Sequence, residues 1–328
     1  MTQERAFAEV SKIILHIGTH KTATTTIQHT FAHNHKVAYR AGLVYPILPL
    51  QHHGLVADWI KLPEFYHYPA GAKAHWEKMA EVNAGTDRTV LISTEELSRG
   101  SPNNRVNFAE LRELISPFDE VEVVCCLRDQ LSLIQSVYFE VFRKNVGFDW
   151  PDYLGGCFQK RLATGVFLDF NALYDMLLEN FSPDEISFFP FRPNGQSANP
   201  LQNFLNHIGF ENLGKELRQE DANRSIAPLQ TWLSGLVNRP KAFDPKLAHA
   251  VDQLFDGRRT TMFARAEAKR IRSEFSESNA AFLKRYAKLT PKDLEMPDYE
   301  ADGYFFRDDM TPQLWLRLAQ IMLQYDRE

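Results

Sequence analysis

The sequence is short of cysteine, of surplus positive charge and of long apolar runs, and each shortage removes a class of protein. Cysteine occurs three times in 328 residues. Cys125 and Cys126 are adjacent and Cys157 stands alone, so neither a disulfide framework nor a zinc-binding spacing is present. A reducing compartment is the expectation. Lys and Arg number 37 against 42 Asp and Glu, a formal net charge of −5. The surface as a whole therefore offers no basic field for nucleic acid or anionic lipid, and any anion site must be local. Nowhere do eighteen apolar residues run together, and the stretch MTQERAFAEVSK has no apolar segment of a leader. A soluble, cytoplasmic protein without a transmembrane segment is expected. Internal repeats and long low-complexity linkers are missing too.

What is present is a core. Hydrophobic residues make up 44% of the chain, ample for one large or two ordinary domains. KIILHI, from Lys12 to Ile17, is a short apolar run stopped by Gly18 and predicts a buried parallel strand. A helix follows from Thr25, with Ile27, Phe31 and Val37 at roughly helical spacing, Gly42 as its C-terminal stop and LVYP as the next short strand. TVLIS (Thr89 to Ser93), VEVVCCL (Val121 to Leu127) and ISFFPF (Ile186 to Phe191) repeat the buried-strand pattern. Helices are predicted over Phe108 to Ile115, through Leu131, Ile134, Val137, Tyr138 and Phe142, and over ALYDMLLENF. Alternation of this kind predicts an α/β fold, a three-layer, P-loop-like parallel sheet flanked by helices. Beyond Leu201 the pattern is largely helical. The chain reads as one domain, an α/β nucleotide-binding core over 1–196 with a helical C-terminal region over 197–328 packed on it.

The loop after the first strand is the usual phosphate holder of such sheets. Here it reads GTHKTATTT, from Gly18 to Thr26. A lysine, a row of hydroxyls and the N–H groups of a helix start form a cradle for an anion with several oxygens. The nucleotide-triphosphate form of this loop, G-x-x-x-x-G-K-[ST], does not match, because only Thr19 and His20 separate Gly18 from Lys21. No predicted strand ends in an obvious magnesium-binding aspartate either. ATP or GTP chemistry is disfavoured.

The stretch His20-Lys21-Thr22-Ala23-Thr24-Thr25 resembles the phosphosulfate-binding loop of sulfotransferases that use 3′-phosphoadenosine 5′-phosphosulfate (PAPS), whose form is P-K-[ST]-G-[ST]-[ST]. His20 stands where that form has proline, and Ala23 where it has glycine. A positive φ at this position would strain alanine. A second likeness follows another buried strand. Sulfotransferases hold the donor's 3′-phosphate with R-[DN]-P-x5-S-x-Y, and LRDQLSLIQSVYFE places Arg128, Asp129, Ser136 and Tyr138 to match, with Gln130 for the proline. A strand-end guanidinium offers a planar fork to phosphate, and Ser136 lies two helical turns on. The looser likenesses LYDMLLENFSPDEISFFPF, NRSIAP from Asn223 and FSESNAAFLKRY point to bacterial carbohydrate-type members.

The resemblance implies a PAPS-dependent transfer of a sulfuryl group to a hydroxyl or amine of a small-molecule or glycan acceptor, without metal. It implies donor contacts at Gly18, His20, Lys21, Thr22, Ala23, Thr24, Thr25, Thr26, Arg128 and Ser136, with Lys21 stabilising the leaving phosphate. A base is still needed. Family members use a histidine or glutamate at the end of the strand before the arginine strand, where this chain has Glu95 and Glu96; alternation along a strand points only one inward, and Glu95 is preferred. Capping or pairing with Arg99 is the bland role for either. His52 and His53, in PLQHHGL, compete for the base. His16 and His20 line the loop. His29 and His33 have metal-compatible spacing but no third ligand. The basic stretch Arg258 to Arg272 reads first as a solvated face, and Trp59, Phe65, Tyr66, Tyr68 and Trp76 as core or as sugar-stacking rings. Two alternatives stay open: a phosphotransferase using ATP or GTP with magnesium, and a non-catalytic nucleotide-binding relative.

Overall fold

The computed structural model describes residues 10–49, 51–144, 149–192, 199–218, 227–237 and 245–325. Its elements follow the apolar runs closely. Strands β1 (Lys12–His16), β2 (Leu43–Val44), β3 (Thr89–Ser93) and β4 (Glu120–Leu127) alternate with helices α1 (Thr24–Arg40), α2 (Ala72–Asn83) and α3 (Phe108–Leu114). Helices α4 (Gln130–Lys144) and α5 (Trp150–Lys160) come next, then the short strands β5 (Leu162–Ala163) and β6 (Val166–Phe167). Helix α6 (Phe170–Leu178), strand β7 (Ile186–Pro190) and helix α7 (Pro200–His207) follow, and then helices α8 (Pro228–Val237), α9 (Pro245–Phe255), α10 (Arg265–Arg285) and α11 (Pro312–Tyr325). The segments from Pro193 to Gln196, through Ser197, and from Asn223 to Ile226 lie outside the described residues.

The chain divides into two compact units. The first comprises 1–128, 165–222 and 285–293, the second 129–164, 223–284 and 294–328. In the first, five strands form one parallel sheet in the order β2-β3-β1-β4-β7. Strands buried on both faces need apolar side chains at nearly every position, which is why KIILH and EVVCCL lack alternation. One face, with Ile14, Leu91, Val124, Cys126 and Phe189, packs on Ile27, Phe31 and Ala38 of α1 and on Leu201, Phe204 and Leu205 of α7. On the other face Phe188 meets Tyr174 of α6 edge-on at 5.7 Å. The expected helix–sheet–helix layering is therefore present.

Helix α1 departs from the simple spacing. It kinks at Asn34 (φ −109°, ψ 18°). The Asn34 side chain donates to the carbonyls of Thr30 (2.8 Å) and Arg218 (3.0 Å) and accepts from the Arg218 N–H (3.1 Å). Beyond the kink it is Ala38 that turns into the core, and Val37 is only partly buried. A continuous helical wheel could not show this.

The second unit is built round aromatic and amide contacts. Tyr138 of α4, the last position of the second motif, is buried among Trp150 (4.9 Å), Tyr153 (5.3 Å) and Phe142 (5.4 Å). Gln130 is fully buried and forms a reciprocal amide pair with Asn279, at 2.7 and 3.0 Å. Two buried amides that satisfy each other cost little, so the glutamine has a packing reason to stand there. The five arginines of the basic stretch have partners inside this unit. Arg258 lies over Phe305, Arg259 over Tyr304 and Arg270 over Phe158, while Arg265 pairs with Asp308 and Asp309 and Arg272 with Asp298. That stretch is a partnered surface, the bland reading of its charge. Among the described residues no helix is long and apolar enough to cross a membrane.

Candidate active site at the tips of the parallel strands

Sheet order places the site. Strand β1 lies between β3 and β4, and the chain proceeds from β1 outward to one side through β2 and β3 before crossing to β4 on the other. The carboxyl ends of strands at such a switch form the natural crevice of an open parallel sheet. His16 ends β1 in register with Ser93 on one side and Val124 on the other. Residues 17–23, 94–96 and 125–128 thus emerge side by side.

The loop from Gly18 to Ala23 is pinned to β4. The Thr19 N–H donates to Cys126 C=O (2.9 Å), and the Cys126 N–H donates back to Gly18 C=O. Inside the loop the Thr22 hydroxyl donates to Thr19 C=O (2.6 Å), so Thr22, almost fully buried, holds the loop's shape. Lys21 (φ 65°) and Ala23 (φ 64°) are both left-handed, which reorients successive peptide N–H groups toward one concavity. The first intrahelical bond of α1 runs from Ile27 N–H to Ala23 C=O. The N–H groups of Thr24, Thr25 and Thr26 consequently have no intrahelical acceptor. No acidic side chain stands in this first turn and the N-cap, Ala23, has no side-chain cap. Thr24 is buried, Thr26 partly buried and Thr25 exposed.

Arg128 reaches this loop. It follows the end of β4, and its Nη1 donates to the carbonyl of Lys21 at 2.8 Å, across 107 residues of sequence. Its guanidinium also lies over the Phe191 ring, 5.3 Å from the centroid. The backbone of the first motif and the arginine of the second therefore meet at the Lys21 carbonyl. Ser136 sits partly buried on α4, in the second unit. The side chain of Asp129, also in that unit, accepts from Ser132 N–H (2.8 Å), an N-cap bond for α4.

Beyond β3 the two glutamates separate, but not by strand alternation. The strand stops at Ser93 and a 3-10 turn runs over Glu95–Ser98, capped by the Thr94 hydroxyl. Glu96 turns to Arg99 and forms a two-pronged ion pair with it. Glu95 turns to the loop. Gln28 of α1 donates to Glu95 Oε2 (2.9 Å) and to Ser93 C=O (3.2 Å). Burial alone would push the Glu95 carboxyl up, but the imidazoles of His20 and His53, its own N–H and the Gln28 amide outweigh it and hold the carboxyl below its ordinary value. It is a carboxylate at neutral pH.

Gly18 makes that approach possible. A Cβ there would stand 2.9 Å from Glu95 Cβ, on a backbone with φ +90°. Gly18→Ala is expected to cost about 2–3 kcal/mol, combining left-handed strain with a forced shift of the turn, and to be read as a lower urea midpoint. The sign reverses five residues on. Ala23 already adopts the left-handed backbone, so Ala23→Gly is expected to leave stability unchanged or raise it by up to about 1 kcal/mol.

The adjacent histidines have opposite fates. His52 is fully buried under Tyr45, with ring centroids 4.4 Å apart. Its Nδ1 accepts from Ser93 N–H (2.9 Å), so its Nε2 is the protonated nitrogen and donates to Pro46 C=O (2.8 Å). Both ring nitrogens are occupied by backbone. Burial pushes its pKa down to about 4. His53 is partly exposed, its Nδ1 is 2.9 Å from the Thr94 hydroxyl, and the Tyr66 ring stands edge-on to it at 5.4 Å. Of the aromatics in this insertion, Trp76 and Tyr68 are core. Phe65 is exposed, and with Tyr66 it remains at the surface beside His53. His29 and His33 lie on the outer face of α1, His33 Nδ1 meeting the His29 carbonyl at 2.9 Å. Among the described residues no group of three or more His, Cys, Asp or Glu is arranged to hold a metal.

The sequence reading named Glu95 but missed what holds it. Gln28 carried no motif signal, and its position four residues beyond Thr24, on the buried face of α1 where a polar residue needs a partner, was the available clue.

Among known proteins, no family model matches the chain and no curated protein matches it. A solved structure, that of a sulfotransferase from Alicyclobacillus acidocaldarius, is similar at 13% identity over 68% of this chain and 90% of that chain, with a TM-score of 0.40.

Proposed function

We propose that this protein transfers a sulfuryl group from PAPS to a hydroxyl or amine, with a carbohydrate as the favoured acceptor class. The observation that carries the reading is the hydrogen bond from Arg128 to the Lys21 carbonyl. It joins two motifs, each matched independently in sequence, at adjacent strand tips. An adenosine bearing phosphates at both 3′ and 5′ positions needs two cationic grips close together, and the loop and Arg128 supply them.

In this reading the loop N–H groups and the hydroxyls of Thr24, Thr25 and Thr26 hold the 5′-phosphosulfate, and Arg128 faces the 3′-phosphate. As the acceptor oxygen or nitrogen forms its bond to sulfur, the bond from sulfur to the 5′-phosphate oxygen breaks. Lys21 stabilises the charge that returns to that phosphate, and Glu95 takes the acceptor's proton. His52 has no nitrogen to offer a substrate, so the base is assigned to Glu95. Positioning and electrostatics carry most of such a displacement, as in phosphoryl transfer.

The test is ligand-linked stability. 3′-Phosphoadenosine 5′-phosphate at a hundred times its dissociation constant is expected to add about 2.7 kcal/mol. Lys21→Ala and Arg128→Ala should each shrink that gain in thermal melts. ATP with magnesium at the same concentration should leave the melting temperature unchanged. A shift with ATP–magnesium and none with the 3′,5′-bisphosphate would replace this reading with a phosphotransferase one.

A further inference from the structure

We propose that Gln28 is a positioning residue for the transfer: its side-chain amide fixes the Glu95 carboxylate relative to the donor, because one turn of α1 carries both the end of the donor loop and the amide. This rests on the reading of the loop as a PAPS site and of Glu95 as the base. It goes beyond that reading by naming a residue that touches neither donor nor acceptor and acts through Glu95 alone.

Both hydrogens of the amide are engaged. Gln28 Nε2 donates to Glu95 Oε2 at 2.9 Å and to the Ser93 carbonyl at 3.2 Å. A carboxylate and a carbonyl only accept, so it is the nitrogen of the amide that faces them. Ser93 closes β3 in register with His16, and its own N–H donates to His52 Nδ1 at 2.9 Å. One hydrogen thus anchors the amide to the strand tip, and the other reaches from that anchor to the base. The glutamate is confined at its root as well, since a Cβ on Gly18 would stand 2.9 Å from Glu95 Cβ. With Oε2 held by the amide, the acceptor's proton is assigned to Oε1.

Helix α1 connects this grip to the donor loop. Thr24 begins the helix and Gln28 lies four residues on, both on the buried face, a separation of about one turn and 6 Å along the axis. Any shift of the helix start therefore moves the loop N–H groups and the amide together. The spacing between the 5′-phosphosulfate and the base is then set by one rigid turn, and Glu95 is not left to the freedom of the 3-10 turn after β3. Glu95 is partly exposed and Gln28 is fully buried, so an acceptor can reach the first and not the second.

Buried amides elsewhere in the chain use both of their ends. Gln130 and Asn279 donate to each other reciprocally, and Asn34 donates to two carbonyls and accepts from an N–H. Gln28 does not: its Oε1 is buried and finds no hydrogen-bond partner among the described residues. An acceptor left in that state opposes folding, so packing alone favours an apolar side chain of the same length. What requires the amide is the carboxylate at position 95.

Steady-state transfer from PAPS by wild type, Gln28→Met, Glu95→Gln and the double variant tests this. Gln28→Met keeps the length of the side chain and removes both N–H groups. It is expected to lower kcat by about 10- to 100-fold, the loss produced by a misplacement of about 1 Å. KM for PAPS and the calorimetric Kd of 3′-phosphoadenosine 5′-phosphate should stay within about twofold of wild type. In the Glu95→Gln background the same substitution should change kcat by less than about twofold, because a residue that acts through the base has nothing left to act on. A purely structural role would lower kcat in both backgrounds. Gln28→Asn, whose amide falls one methylene short of Oε2, replaces Gln28→Met in the same cycle if the methionine variant fails to bind the bisphosphate. Equal losses in the two backgrounds, or a kcat within about twofold of wild type, overturn this inference and leave the transfer reading standing. A wild type that transfers nothing from PAPS overturns both.

Discussion

Glu95→Gln is expected to lower sulfuryl transfer by about 10²- to 10⁴-fold, the range spanned by a positioned general base, while leaving the fold intact. Glutamine has the shape of glutamate, and its carbonyl can still accept the Gln28 amide that now holds Oε2 at 2.9 Å. What disappears is a lone pair able to take a proton at neutral pH. Burial would raise the carboxyl's pKa, but His20 and His53 hold it below its ordinary value, so in wild type it is ionised at neutral pH. Rates measured over a panel of hydroxyl- and amine-bearing sugars should fall in kcat. Binding of the 3′,5′-bisphosphate should stay within about twofold of wild type. A loss under tenfold in kcat would move the proton-accepting role to His53, which stands beside the same carboxylate on the Thr94 hydroxyl.

Acid should destabilise the protein steeply between pH 6.5 and 4. His16 and His52 are both fully buried, and burial lowers the pKa of each from 6.5 to about 4. Such groups are neutral in the folded chain and charged in the unfolded one across that window. Their stabilisation is complete above pH 6.5 and is lost as pH falls toward the folded value. Each shift is worth about 3 kcal/mol, so the pair removes about 6 kcal/mol by pH 4. A protonated His52 would have to break its bond from Ser93 N–H, since Nδ1 accepts there. A protonated His16 would carry charge on Nε2, which finds no hydrogen-bond partner among the described residues. His207, also pushed down by burial, acts in the same direction. The carboxylates held low, such as Asp293 and Asp309, add their loss only at lower pH. Urea melts at half-unit intervals should show a slope approaching two protons near pH 5, reduced by one in His52→Gln. A flat stability profile over this window would sink the assignment.

Both expectations come from the same layer of structure, the packing beneath the strand tips. There α1 supplies Gln28, and the insertion after β2 supplies Tyr45, His52 and His53. Gln28, His52 and His53 hydrogen-bond to Ser93, Thr94 or Glu95. The site is thus set by side chains from beneath as well as by its loop.

The four longer strands of the sheet were legible in the residues because a strand buried on both faces reads as a short, nearly continuous apolar run, and KIILH, TVLIS, VEVVCCL and ISFFP are such runs. The loop proposed to hold the donor stood out for a related reason: a lysine and clustered threonines directly follow such a run. Orientation was not legible. His52 and His53 are identical neighbours, and only the packing of Tyr45 and the Ser93 N–H decides that one is inside and the other outside. Glu95 and Glu96 are likewise equivalent in sequence, and a 3-10 turn, with Arg99 on one side and Gln28 on the other, distinguishes them. Sequence determined which elements form and which residue types stand at their ends, because hydrophobic periodicity and turn chemistry act over a few residues. Tertiary structure alone decided that Arg128 reaches the Lys21 carbonyl and that Glu95 packs against Gly18, because parallel pairing of β1 with β3 and β4 fixes contacts across 70 to 110 residues that no local pattern encodes.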